Sequence, residues 1–164
     1  MIISVIGGDS AGPEAVKAAE TVGREIARRG ATLVCGGRGG VMEAACRGAR
    51  AEGGHTIGIM PGRDREESPP NPFVEFPVFT GLGYTRNVVV VLSGEAVIAI
   101  DGSYGTLNEI AYALIHEKPI VGIDTWDFAY HGHDGERIVR AKSPADAVEK
   151  AIELANRQRE DASE

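Results

Sequence analysis

Cysteine is scarce, with two in 164 residues. Ten residues separate Cys35 from Cys46, which is neither a zinc nor a redox spacing. Both are expected as reduced cysteines, Cys35 ending a buried strand and Cys46 inside a helix. Basic charge is also short: 17 Lys and Arg stand against 24 Asp and Glu, a net charge of -7. An acidic chain repels nucleic-acid phosphates unless it carries a dense basic patch. Arg24, Arg28 and Arg29 share one predicted helix and read as its solvated face, so nucleic acid is not an expected partner. No apolar run approaches the roughly 20 residues that a membrane span needs. Met1 leads straight into the apolar segment Ile2-Ile6, without the basic and long apolar regions of a signal peptide, so a cytoplasmic chain is expected. His131-Gly132-His133-Asp134 is a loop pattern of low specificity for metal, and no metal site is expected. His55 and His116 are isolated.

What the chain has in excess is glycine, 22 residues, much of it in three clusters. Around those clusters, short β-branched runs alternate with helical stretches, which predicts βαβ units. Strands are expected at Ile2-Ile6, Ala31-Cys35, Thr56-Met60, Val74-Phe79, Ala96-Ile100, Ile120-Ile123 and Arg137-Ala141. Helices are expected from Pro13 to Arg29, Val41 to Glu52, Tyr84 to Leu92, Tyr104 to His116 and Pro144 to Asn156. Val16, Ala19, Val22, Ile26 and Ala27 mark the buried stripe of the first helix, and Gly30 stops it. Pro61 to Pro72 holds four prolines among charged residues and reads as a loop. The fold class is therefore α/β: a single Rossmann-like three-layer domain with an open, mostly parallel sheet flanked by helices. It spans residues 1-158, with a frayed tail at 159-164. A domain of this length buries roughly 70% of its unfolded surface and needs no disulfide or metal staple.

Three predicted strands end in glycine-rich turns that open helices. They are Gly7-Gly8-Asp9-Ser10-Ala11-Gly12, Gly36 to Gly40, and Asp101 to Thr106. In an open parallel sheet these turns share the carboxyl edge, where ligands bind near the reversal of strand order. Glycine admits close backbone approach, and the following helix start offers unpaired N–H groups and partial positive charge. That is an anion site needing no basic side chain. The turns lack the third glycine and the ribose-binding acid of the dinucleotide fingerprint, and no Walker lysine follows them, so NAD binding and ATP hydrolysis are disfavoured. Two charged residues stand out. Glu109 lies in the second turn of the helix opened by Gly102 to Thr106, where a carboxylate can act as a base or hold a sugar hydroxyl. Arg86 precedes the strand Ala96-Ile100 and can grip phosphate.

Gly36-Gly37-Arg38-Gly39-Gly40-Val41-Met42-Glu43-Ala44 resembles the GGG-x-x-GLM segment of the lonely-guy, or lysine-decarboxylase-like, family. Asp101-Gly102-Ser103-Tyr104-Gly105-Thr106-Leu107-Asn108-Glu109 resembles that family's PGG-x-GT-x-EE signature. Arg86-Asn87 falls where the family has Arg-Lys, and Gly7-Gly8-Asp9-Ser10 takes the place of its first turn. The resemblance implies a Rossmann-like fold, usually dimeric, and cleavage of the N-glycosidic bond of nucleoside 5′-monophosphates, with Arg86 and Glu109 at the two catalytic positions. It also implies that Gly7, Gly8, Ser10, Gly36, Gly37, Gly40, Met42, Gly102, Ser103, Tyr104, Gly105 and Thr106 hold the phosphate-bearing ligand. Asp101, Ser103, Asn108 and Asn87 depart from the pattern in the direction of a neighbouring branch that includes the molybdenum-cofactor carrier proteins. The first expectation is thus a binding or carrier protein for a nucleotide or for the molybdenum cofactor. The alternative is a nucleoside-monophosphate phosphoribohydrolase. A homodimer is expected in either case, through an apolar face of Val88, Val89, Val91 and Leu92. A third reading, a DNA-binding relative, is disfavoured by the acidic charge.

Overall fold

The computed structural model describes residues 1–127 and 137–163, so the His131-Asp134 pattern lies outside the described residues. The strands are β1 (Ile2–Gly7), β2 (Thr32–Cys35), β3 (Thr56–Met60), β4 (Phe76–Phe79), β5 (Ala96–Ile100), β6 (Ile120–Ile123) and β7 (Ile138–Arg140). The helices are α1 (Pro13–Arg28), α2 (Gly40–Ala51), α3 (Asn87–Ser93), α4 (Tyr104–Ile115) and α5 (Pro144–Asp161), with a 3-10 turn at Gly83–Arg86.

The seven strands form one sheet in the order β4-β3-β2-β1-β5-β6-β7, and every neighbouring pair is parallel. The chain winds outward from β1 to β4, then returns to lay β5 on the other side of β1. The strand order therefore reverses between β1 and β5, where a crevice opens at the carboxyl edge.

Alternation along the strands divides the core between two faces. Ile3, Val5, Ile98 and Ile100 pack under α1, α2 and α5. Ile6, Val97 and Ala99 pack under α3 and α4. This is the expected three-layer arrangement. α1 and α2 cross closely at two glycines: a Cβ on Gly23 would lie 1.9 Å from the Ala45 carbonyl oxygen, and one on Gly48 would lie 1.9 Å from that of Glu20.

Four local expectations change. The helix from Tyr84 splits into the 3-10 turn and α3, because Arg86 and Asn87 turn inward and are buried. Val91 belongs to the core, fully buried, and not to the exposed face. β4 begins at Phe76, since Val74 closes a turn onto the Asn71 carbonyl. The last helix does not end near Asn156 but runs to Asp161, where Gln158 donates to the Glu117 carbonyl at 2.8 Å. The two thiols are free and buried, their sulfurs 3.5 Å apart.

Candidate functional site

The three glycine-rich turns meet at the carboxyl edge as expected, and each opens a helix whose N-cap side chain makes no capping bond. The N-caps are Gly12 for α1, Gly39 for α2 and Ser103 for α4. By contrast, Ser143 caps α5 by accepting a bond from the Asp146 N–H. A helix start left uncapped retains free N–H donors for an anion.

A cavity of about 590 Å3 lies in the crevice at the switch between β1 and β5. One face of α4 forms much of its wall, because Tyr104, Gly105, Asn108, Glu109 and Tyr112 recur at helical spacing. Gly105 is open to it: an added Cβ would meet only the Ser103 hydroxyl, at 4.0 Å. Thr106 also lines the cavity, and its hydroxyl is buried with no hydrogen-bond partner among the described residues. A buried hydroxyl left unpaired costs about 1–3 kcal/mol, so a ligand oxygen that accepted its proton would recover that loss.

Arg86 and Glu109 form the floor. Their side chains are only 9% and 8% exposed, and Nη1 of Arg86 lies 3.8 Å from Oε1 of Glu109. The Arg86 guanidinium donates to the Gly36 carbonyl at 3.3 Å and to Oδ1 of Asn87. Its Nε–H has no partner among the described residues. Burial pushes the Glu109 carboxyl up to about 8, only partly opposed by the Arg86 charge. Burial likewise lowers the value for Arg86, with Glu109 working against it. At neutral pH the floor therefore holds a protonated acid beside a buried cation, a net positive surface suited to an anion.

Of the residues expected at a ligand, Gly7, Met42, Arg86 and the run Ser103 to Thr106 line the cavity together with Glu109. Gly8, Ser10, Gly36, Gly37, Gly40 and Gly102 do not line it. Several of these glycines answer to packing instead. A Cβ on Gly36 would come within 2.6 Å of the Arg86 guanidinium, and one on Gly40 would lie 2.3 Å from the Gly8 carbonyl. Ser10 is exposed.

Sequence reading missed Asp9 and Arg38, an ion pair at 3.5 Å on the rim, and Tyr84, Thr85, Asn87, Asn108 and Tyr112 within it. Helical periodicity from Tyr104 and Glu109 was the signal available for Asn108 and Tyr112. Trp126 donates from its indole N–H to the Ser103 carbonyl at 3.2 Å and so steadies the α4 start.

The SLOG cluster4 family model matches residues 1–148. A cytokinin riboside 5′-monophosphate phosphoribohydrolase of Mycobacterium marinum is 35% identical over 121 residues, covering 70% of this chain and 65% of that one. The chain thus aligns with less than two thirds of that relative's length. The solved molybdenum cofactor binding protein of Rippkaea orientalis is similar at TM-score 0.82 and 37% identity, covering 96% of each chain. The Moco carrier protein of Chlamydomonas reinhardtii is similar at TM-score 0.81 and 33% identity, over 94% of this chain and 97% of that one. The likeness read from the glycine motifs holds on both sides, toward phosphoribohydrolases and toward molybdenum-cofactor carriers.

Proposed function

We propose a function from the premise that this chain belongs to the SLOG cluster4 family: it binds and carries a phosphate-bearing small molecule, a nucleoside monophosphate or a molybdopterin-type cofactor. The observation that carries this reading is the uncapped start of α4, which opens on the cavity beside the unpaired Thr106 hydroxyl. The phosphate sits on the backbone of Ser103 to Thr106, the part of the Gly102 to Thr106 turn that lines the cavity, with the Arg86 cation beneath it. The molybdenum cofactor fits this donor set as cargo, since its phosphate would take the helix start and Thr106. The binding and carrier names of the two structural relatives support the same reading. The reading includes a cytoplasmic homodimer. No helix among the described residues is long and apolar enough to cross a membrane.

The alternative is hydrolysis of the N-glycosidic bond of a nucleoside 5′-monophosphate. The close Arg86–Glu109 pair and the Mycobacterium marinum relative favour it. The protonation of Glu109 opposes it. Cleavage builds positive charge on the sugar, and only an ionised carboxylate stabilises that charge strongly. With its proton held to about pH 8, Glu109 is mostly neutral at pH 7. Isothermal titration with nucleoside monophosphates and molybdopterin, run beside an assay of free base, tests both readings. The carrier reading expects binding with little base released. Robust release by the wild type, abolished by Glu109→Gln, would establish the hydrolase.

A further inference from the structure

The floor of the cavity contains a chain of three side chains whose direction is fixed by chemistry. A guanidinium only donates, so the Asn87 atom facing Arg86 must be its carbonyl oxygen. That orients the Asn87 amide nitrogen outward, where it donates to Oδ1 of Asn108 at 3.1 Å. That bond turns the carbonyl end of Asn108 toward Asn87. The Asn108 amide nitrogen donates to nothing among the described residues, and the side chain is exposed on the cavity wall. An isolated Asn could present either end to a ligand. This one cannot, because reversing it would set two N–H groups against each other, and reversing Asn87 would do the same against Arg86.

Two further donors belong to residues of the same cavity lining. Thr106 keeps a spare hydroxyl donor and Arg86 a spare Nε–H. Asp9, the exposed carboxylate on the rim, is engaged by Arg38. Asn108 lies four residues beyond Tyr104 on the same helix face, so a rise of 1.5 Å per residue sets it about 6 Å along the axis from the helix start. A sugar spans about that gap between a phosphate and a ring.

We infer that Asn108 is a specificity-determining residue: its fixed amide N–H groups select a phosphate-bearing heterocycle that offers a ring oxo group, and they reject one that offers an amino group in its place. This rests on the reading that a phosphate-bearing ligand occupies the cavity. An amino group against the Asn108 amide would place donor against donor, and a mismatch of that kind costs on the order of tenfold or more in affinity.

The test is calorimetric titration of the full chain with inosine 5′-monophosphate, adenosine 5′-monophosphate and ribose 5-phosphate. Wild type is expected to bind the oxo nucleotide about tenfold more tightly than the amino one. Asn108→Asp replaces the donor by an acceptor while still receiving the Asn87 bond, so the ratio should invert. Taking the ratio cancels the general repulsion of phosphate by the new charge. Asn108 is exposed, so the variant should fold, and Asn108→Ala serves as a second check that should bring the ratio near one. If the two nucleotides bind equally and Asn108→Asp leaves their ratio unchanged, the inference is overturned. Nucleotides that bind no better than ribose 5-phosphate would overturn it too, while leaving the phosphate reading intact. Failure of all three to bind would overturn it together with the nucleotide form of the phosphate reading, leaving only the molybdopterin form.

Discussion

Glu109 and Arg86 sit 3.8 Å apart beneath the cavity, yet burial dominates the acid's titration. The unfolded chain releases this proton near 4.5, whereas the folded chain holds it to about 8. Across that window the folded state binds more protons, so wild-type stability falls as pH rises through it. Glu109→Gln removes the dependence while preserving shape. The variant should match wild type near pH 5 and exceed it at pH 9, by on the order of 4 kcal/mol at most. Urea denaturation at both pH values checks this, and a constant difference would show that Glu109 is ionised throughout. A second residue reports on the turn itself. Asp101 has φ of 51°, in the left-handed region, and its N–H bonds the Ile123 carbonyl at 3.1 Å. Proline, locked near −65°, can satisfy neither condition. The proline of the family signature therefore cannot occupy this turn as it stands here. Asp101→Gly should stabilise by about 1 kcal/mol, and Asp101→Pro should destabilise by more than that. Thermal melts of the two variants should move in opposite directions.

At the scale of elements, α4 carries the site through its start and one face. If Thr106 waits for a ligand oxygen, Thr106→Val leaves the unliganded fold as stable or slightly more so, since the buried hydroxyl has no partner to lose. Phosphate protection against melting should nevertheless weaken by about 1 kcal/mol. Equal protection of wild type and variant would remove Thr106 from the site. The elements themselves were largely legible. Thr56–Met60, Ala96–Ile100 and Ile120–Ile123 could be read to the residue because β-branched runs between turn residues have sharp ends. The break before α3 was not legible. Four consecutive valines continue a helical reading past Arg86, and only tertiary packing reveals that Arg86 and Asn87 face inward. In the site, glycine clustering located the edge but could not separate glycines that face a ligand from those that make room for packing. Gly105 opens on the cavity, while Gly36 makes room for Arg86. The Asn87–Asn108 bond joins residues 21 apart on two helices, a pairing that no local pattern encodes.

For the whole molecule, the two layers of helices are unequal. Among the described residues three helices cover one face of the sheet and two, α3 and α4, cover the other, and their outer side is apolar. Leu92 is 43% exposed and Ile115 is 70% exposed, both at the amino-edge ends of these helices. Val88 and Val89 of α3 are half-buried, with Val89 packed against the core. A homodimer built on this face would use the same patch from both copies about a twofold axis. One charge placed in such a patch is placed twice, so Ile115→Glu sets two carboxylates into the contact. Because Ile115 is largely exposed in the single chain, the substitution should leave chain stability within about 0.5 kcal/mol. Sedimentation velocity at micromolar concentration should show wild type as a dimer and the variant as a 17.3 kDa monomer. Ile115 lies eleven residues from Tyr104, about 16 Å along α4 at 1.5 Å per residue. The anion site is made by backbone near Tyr104, so phosphate affinity should stay within a few-fold in the variant. A wild-type chain that sediments as a monomer would remove this face as an interface, and a variant that stays dimeric would move the interface elsewhere.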